Sequence, residues 1–271
     1  MRTENPVLTA RTLAHLSRPQ LAAMSGVAVT TIYRIESGCV SPSSETVNRI
    51  LAAAGYVLEN NLSSVSDPGA VAAARGILDP SSGLGAFEGA AIWIDRWKAA
   101  GFVIDTGSGL VPKSPPSLLA RRAGLAARLA SRPGLLSFRR EGMSWLDIAR
   151  RIDATGTRWA ATGGTAANRL VPSADAPWPV FYVSDPDTVA KAAGFTPKGE
   201  TGPVLTLIPF DGVADVGIEV DDQGLRWVDP LQVLIDCYGG PDRLPEQAEA
   251  LSVALELLRC TSARQKERGS R

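Results

Sequence analysis

The sequence predicts an α+β protein with an all-α N-terminal domain, a basic helical middle and an α/β C-terminal domain. Three observations predict this class. Apolar residues recur at helical spacing through the first 56 residues. Basic residues concentrate in residues 113–169, which carry eleven bases and three acids. From Trp178 onward, apolar residues alternate with a period of two, which is typical of half-buried strands.

Composition narrows the class of protein. The chain has 271 residues, 45% of them apolar and 21% charged, as in folded globular proteins. No apolar run approaches the roughly 18 to 20 residues that span a bilayer, and residues 1–6 lack the apolar core of a signal peptide. We therefore expect a cytoplasmic protein with no membrane partner.

Cysteine and histidine usage argues against several kinds of site. The three cysteines lie far apart, which disfavours a disulfide framework or a cysteine-rich zinc site. His15 is the single histidine, so histidine metal sites and Ser-His triads are excluded as complete sets. We expect no cofactor, no metal and no catalytic residue.

The net charge of zero hides an uneven distribution. Residues 1–60 carry five bases and four acids, and residues 61–112 carry three bases and five acids. Residues 170–271 carry nine bases and sixteen acids, opposite in sign to the basic middle. This asymmetry favours one surface for nucleic acid and another for a different partner.

Residues 16–38 hold the most informative pattern. Ser17 is suited to cap one short helix, and Gly26 supplies the backbone freedom for a tight turn into a second helix. Val27, Ile32 and Ile35 then fall on the buried face of that second helix. Its outward face presents Val29, Thr30, Thr31, Tyr33 and Arg34.

This stretch resembles the lambda-repressor-like (Xre) family of helix-turn-helix domains. The resemblance covers about 50 residues and includes a Leu-Ser-x-x-x-Leu-Ala start, a Gly-Val turn, an Ile-x-x-Ile-Glu-x-Gly end and an Ala-Gly-Tyr close. It implies that residues 29–37 enter the major groove of double-stranded operator DNA. It also places Arg18 where the family contacts a phosphate. Ala28 departs from the usual Ser or Thr cap, and Val29 offers no hydrogen bond.

The chemistry of the outward residues agrees with DNA binding. Arg34 is suited to guanine, and the methyl groups of Thr30 and Thr31 are suited to thymine. Arg18 and Arg49 are candidate phosphate contacts. Because such domains usually bind two half-sites, we expect a homodimer.

The basic middle is predicted to form a winged-helix-like module over residues 113–170. A helix capped by Ser117 would bury Leu118, Leu125 and Leu129. A second DNA contact would then come from Arg121, Arg122 and Arg128 on the opposite face, although a solvated basic face fits the same pattern. The predicted domains are 1–60, a helical linker region at 61–112, the basic module at 113–170 and an α/β domain at 171–271.

The C-terminal half resembles the AbiEi-type antitoxins of type IV toxin–antitoxin systems. The resemblance runs from about Trp145 to Leu258, is carried by residues 158–167, 180–183 and 204–211, and is closest over residues 228–236. It implies a repressor of its own operon that neutralises a nucleotidyltransferase-like toxin. The usual family member lacks an Xre domain.

An enzyme is the alternative. Glu219 and Asp221 would share one face of a strand, a geometry that can hold Mg²⁺, as a nuclease or nucleotidyltransferase requires. Asp221-Asp222-Gln223-Gly224 is equally typical of a turn between two strands.

Overall fold

The chain folds into two compact units, Met1–Arg132 and Pro133–Arg271, called here the N-terminal unit and the C-terminal unit. The mixture of helices and sheets confirms the predicted α+β class. Side chains are described up to residue 256. The computed structural model describes residues 5–59, 61–113, 115–172, 178–198 and 204–269.

The described part of the N-terminal unit is mainly helical, with two short β-hairpins. Its elements are α1 (Pro6–Leu13), α2 (Arg18–Ser25), α3 (Val29–Glu36), α4 (Ser44–Ala54), β1 (Tyr56–Leu58), β2 (Leu62–Ser64), α5 (Pro68–Leu78), α6 (Ala90–Ala99), β3 (Val103–Asp105), β4 (Leu110–Pro112) and α7 (Pro116–Ala126).

Residues 61–112, predicted as a helical linker region, do contain the helices α5 and α6, but these helices build much of the core of this unit. Eight of the eleven residues of α5 are buried, and α5 packs against both α6 and α7. Small side chains explain the close packing, since an added Cβ at Gly76 would meet the backbone of Gly85 at 2.4 Å. The unit also contains the antiparallel hairpins β1–β2 and β3–β4.

The C-terminal unit contains one mixed sheet with helices packed on it. The sheet order is β5-β8-β7-β6-β10-β9, with parallel pairing of β7 with β8 and of β6 with β10. The elements are β5 (Leu136–Arg139), α8 (Trp145–Asp153), β6 (Trp159–Thr162), α9 (Gly163–Leu170), β7 (Val180–Val183), α10 (Pro186–Ala193), β8 (Val204–Pro209), β9 (Glu219–Val220), β10 (Arg226–Trp227), α11 (Pro230–Tyr238) and α12 (Leu244–Gly269).

Helices cover both faces of this sheet. Every residue of β6 and β7 is buried, and successive side chains of a strand point to opposite faces. One group of helices is formed by α9, α11 and α12, which pack on one another, and the other by α8 and α10. Both faces of β6 and β7 are therefore buried, whereas the alternating pattern expected from the sequence would bury one face only.

Two helix starts in this unit are capped by the side chain of the residue that precedes the helix. The Ser144 hydroxyl accepts the Asp147 backbone N–H, and the Asp147 carboxylate accepts the Ser144 backbone N–H, which completes a capping box. Asp229 caps α11 by accepting the backbone N–H groups of Leu231 and Gln232, with Pro230 as the first helical residue.

A buried carboxylate joins α11 to the sheet. Asp236 is fully buried, and its oxygens accept hydrogen bonds from the Thr162 hydroxyl at 2.6 Å and from Gln232 Nε2 at 2.9 Å. The Tyr182 hydroxyl lies 3.2 Å from the same carboxylate. Burying a carboxylate is costly unless its oxygens are hydrogen-bonded, and these three donors from β6, β7 and α11 meet that requirement.

The basic middle differs most from its prediction. The boundary between the two units falls at residue 132, inside the predicted module of residues 113–170. Helix α7 packs on α5 in the N-terminal unit, whereas α8 and β6 belong to the sheet unit. The apolar faces of this segment are thus buried in two different cores, which a single small module would not allow.

No described helix is long and apolar enough to cross a membrane.

Candidate nucleic-acid interface

The candidate interface is built on α2, a tight turn and α3. The hydroxyl of Ser17 and the side chain of Gln20 form a capping box at the start of α2. Gly26 ends that helix in the left-handed conformation, with φ of 66°, which favours glycine. As predicted, Ala28 gives α3 no side-chain cap.

Helix α3 has one buried face and one open face. Ile32 is fully buried and Ile35 is 3% exposed, so both fix the helix to the core. Val29 is 42% exposed and Tyr33 is 55% exposed. Thr30 and Arg34 are also exposed, and Thr31 is half-buried. The helix therefore presents a convex surface of the predicted residues to solvent.

A buried carboxylate at the end of α3 holds this helix against α1 and α2. The Glu36 side chain is only 2% exposed, and its two oxygens lie 2.5 Å from Arg11 Nε and 2.5 Å from Arg18 Nε. Arg11 also donates from Nη1 to the Leu16 carbonyl at 2.9 Å. These contacts tie three helices together through one residue.

Sequence reasoning missed this structural role of Glu36. It treated Glu36 only as part of a matching motif. A signal was present in the sequence, because Glu36 directly follows the buried Ile35. Two bases, Arg11 and Arg18, lie on the two helices that precede it. The pairing itself joins residues 18 and 25 positions apart, which local periodicity does not reveal.

Arg18 has a second neighbour besides Glu36. Its guanidinium lies 5.3 Å from the centre of the Tyr33 ring, within the range of a cation–π contact. The Arg18 side chain is still 42% exposed. A guanidinium has five N–H donors, so the ion pair leaves donors for a phosphate. Arg18 thus orients α3 as well as being a candidate phosphate contact.

Comparison with known proteins agrees with this geometry. A family model described as Helix-turn-helix matches residues 7–57. Residues 7–57 are an Xre-type, lambda-repressor-like helix-turn-helix domain. No curated protein and no solved structure gives a significant match to the chain. The chain therefore carries a DNA-binding domain of the type used by transcription regulators.

The helix-turn-helix domain also contains Arg49, the second predicted phosphate contact. Arg49 lies on the exposed side of α4, while Ile50 and Leu51 beside it are fully buried. The Ser43 hydroxyl caps α4 by accepting the Thr46 backbone N–H. This places a cation on the surface of the domain, as a phosphate contact requires.

The basic residues of α7 are placed differently from the prediction. The helix begins at Pro116 after Pro115, so Ser117 is not its cap. Its buried residues are Leu119, Ala120, Ala123, Gly124 and Ala126, whereas Leu118 and Leu125 are half-buried and Leu129 is buried as predicted. The buried face is thus rotated by about one residue, which brings Arg122 toward the interior.

Two of the three predicted basic contacts accordingly pack against protein. Arg122 lies over the Phe102 ring at 3.5 Å, and Arg128 donates from Nη2 to the Tyr56 hydroxyl at 2.9 Å. Both side chains belong to half-buried residues. Arg121 alone of the three is exposed. The structure therefore does not present these three arginines as one open basic face.

The acidic residues considered for Mg²⁺ are engaged in structure. Asp221 Oδ1 accepts the backbone N–H groups of Gln223 and Leu225, and Asp221 Oδ2 accepts Trp227 Nε1–H at 2.8 Å. Glu219 pairs with Arg169 at 3.5 Å. Within the described residues, no group of three or more His, Cys, Asp or Glu side chains could hold a metal ion.

Proposed function

We propose that the protein is a sequence-specific transcriptional repressor that binds its operator through α3. The observation that carries this proposal is the open face of α3, where Thr30, Tyr33 and Arg34 are exposed while Ile32 and Ile35 hold the helix from behind. Side chains of these types can reach base edges in the major groove.

Selection of binding sites from random DNA, followed by sequencing, would give the operator. Arg34→Ala should then weaken binding to that operator by about 1–3 kcal/mol more than binding to random DNA, if Arg34 reads a guanine. Arg49→Ala is the matched control, because loss of a phosphate contact weakens both DNAs equally. If Arg34→Ala weakens binding to operator and to random DNA equally, Arg34 contacts a phosphate and not a base. If the selection enriches no sequence, the proposal is rejected.

We further propose that the protein acts as a homodimer on two half-sites. The geometry of helix-turn-helix binding supports this, since paired recognition helices read half-sites about 10–10.5 base pairs apart. Sedimentation of the protein with and without operator DNA tests it. A two-fold symmetric selected site bound by one chain only would contradict it.

The finer proposal is that the protein is the autoregulating antitoxin of a type IV-like toxin–antitoxin system. Its support is the resemblance of residues 145–258 to AbiEi-type antitoxins, including the Val228–Asp236 stretch, whose last seven residues lie in α11. The acidic C-terminal region would face the toxin. Coexpression with a nucleotidyltransferase-like protein encoded beside this chain tests it, and growth arrest that the chain does not relieve would contradict it.

We propose no catalytic activity. This is supported by the engagement of Asp221 in its turn and of Glu219 with Arg169. Incubating labelled operator DNA with the protein and Mg²⁺ tests this, because cleavage of the DNA would instead favour a nucleic-acid-processing enzyme.

A further inference from the structure

The open face of α3 carries two rows of side chains that differ in chemistry. Residues four positions apart lie on the same side of a helix, with Cβ atoms about 5–6 Å apart. Thr30 and Arg34 form a polar row that can donate hydrogen bonds. Val29 and Tyr33 form the second row, called here the apolar row. Val29 is 42% exposed and Tyr33 is 55% exposed, so the row is open to solvent.

The ring in the apolar row is held in place from the side of α2. The Arg18 guanidinium lies 5.3 Å from the centre of the Tyr33 ring, and Arg18 Nε lies 2.5 Å from Glu36 Oε2. Because the Glu36 side chain is only 2% exposed, the core of the domain fixes its position. The ion pair therefore keeps a cation against Tyr33 while much of the ring remains open. A side chain that is already held loses less conformational freedom when it contacts a second molecule.

The chemistry of the apolar row limits what it can contact on DNA. Val29 has no side-chain donor or acceptor, so any contact that it makes with a base is apolar. The base edges in the major groove consist of hydrogen-bonding groups, apart from the 5-methyl group of thymine. 5-Methylcytosine carries a methyl group on the same ring carbon. A pyrimidine methyl group is thus the feature of the groove that suits this row.

We propose that the apolar row recognises the 5-methyl group of one pyrimidine in each half-site of the operator, supplied by thymine or by 5-methylcytosine. This inference rests on the proposed function, since it requires α3 to lie in the major groove. The polar row beside it would contact a neighbouring base pair, where Arg34 is suited to guanine. An operator with cytosine at the contacted position would then be bound more tightly after methylation of that cytosine.

The size of the effect follows from the burial of one methyl group. Removing a group of this size from water contributes about 0.8 kcal/mol, which corresponds to about a fourfold change in Kd. Hydrogen bonds to the bases do not contribute to this difference when the two DNAs differ in the methyl group alone. A fourfold change is therefore expected for each methyl group that the apolar row contacts.

The test uses the full chain and the operator obtained by site selection. Synthetic operators carry deoxyuridine in place of one thymine at a time, which removes the methyl group and keeps every hydrogen-bonding group of the base. At the position that responds, two further operators carry cytosine or 5-methylcytosine. Fluorescence anisotropy at constant salt concentration measures Kd. We expect Kd to rise about fourfold with deoxyuridine at the contacted position, and 5-methylcytosine to be bound about fourfold more tightly than cytosine there.

Variants of α3 assign the methyl preference to the apolar row. Val29→Ala and Tyr33→Ala should each bring the ratio of the two Kd values closer to one, because each removes part of the apolar contact. Tyr33→Phe keeps the ring and should keep the ratio. Val253→Ala is the matched control, because Val253 is an exposed valine of α12, outside the helix-turn-helix domain. Melting curves establish that each variant is folded.

The outcomes separate this inference from the proposed function. A methyl preference that is reduced in Val29→Ala or Tyr33→Ala, and retained in Tyr33→Phe and Val253→Ala, supports the inference. If no deoxyuridine substitution changes Kd, the inference is overturned and the proposed function stands. A methyl preference that is unchanged in both alanine variants also overturns it, because another side chain then contacts the methyl group. A selection that enriches no sequence rejects the proposed function together with this inference.

Discussion

Replacing Glu36 by Gln tests whether one buried carboxylate orients the recognition helix. The substitution keeps the shape of the side chain and one acceptor oxygen but removes the negative charge that Arg11 and Arg18 share. Glu45→Gln, on the exposed first turn of α4, is the matched control.

The expected cost follows from the burial of the partners. Breaking a buried ion pair costs about 3–5 kcal/mol, because a charge is left uncompensated. Only the Arg11 side chain, 16% exposed, approaches that condition, whereas the Arg18 side chain is 42% exposed and is screened by water. We therefore expect a loss of about 2–3 kcal/mol in the free energy of unfolding of the N-terminal unit. At about 4 °C per kcal/mol for a unit of this size, Tm should fall by about 10 °C.

Thermal unfolding followed by circular dichroism and calorimetry measures this loss. Operator affinity should fall as well, since α3 loses its link to α1 and α2, while Glu45→Gln should change neither quantity. If Glu36→Gln melts within about 2 °C of the wild type and binds operator equally well, the carboxylate does not hold the helix. A double-mutant cycle with Arg11→Met would then show no coupling.

Three further predictions concern the remaining charges. Arg121→Gln should lower the slope of log affinity for DNA against log salt concentration by about one unit if Arg121 contacts a phosphate. Arg128→Gln should leave this slope unchanged, because Arg128 is held by a tyrosine hydroxyl. Equal slopes for the wild type and both variants would place Arg121 away from DNA. Asp236→Ala should lower the free energy of unfolding of the C-terminal unit by about 3 kcal/mol or more, because three buried donors lose their acceptor. Denaturation with urea measures this free energy, and a loss below about 1 kcal/mol would contradict the prediction. Tm of the C-terminal unit should fall as pH drops from about 5 to about 3, because hydrogen bonds at the start of α8 hold the pKa of Asp147 below its usual range. The stabilisation from the ionised carboxylate is present above the pKa of Asp147 in the unfolded chain and is lost as pH falls through its pKa in the folded protein. The fall in Tm should be smaller in Asp147→Asn, and parallel curves of Tm against pH for the two proteins would reject the assignment.

Local chemistry could be predicted from the sequence wherever a helix start or a tight turn depends on neighbouring residues. Ser17, Gly26, Ser144 and Asp229 all have the structural roles that their residue types indicate. The open face of α3 followed from the same kind of reasoning, because the helical period alone separates Ile32 and Ile35 from their outward neighbours.

Features that depend on distant residues could not be predicted in this way. The buried face of α7 is lined largely by alanine and glycine, which give little apolar periodicity, so the more hydrophobic leucines indicated a face rotated by about one residue. The placement of Arg122 follows from Phe102, which lies 20 positions earlier. Likewise, β6 has two alanines among four residues, a composition with low strand propensity, and its strand character comes from pairing with β7 and β10.

The burial of α5 through α7 beside the helix-turn-helix domain has a consequence for protein engineering. A fragment cut after residue 60 would remove α6, with its buried Trp93 and Trp97, from the surface of α2 and expose apolar area to water. Anyone wishing to transplant this DNA-binding specificity onto another protein should therefore transfer residues 1–132 together. The part of this chain that should be transferred is the whole N-terminal unit, which is more than twice as long as the helix-turn-helix match at residues 7–57.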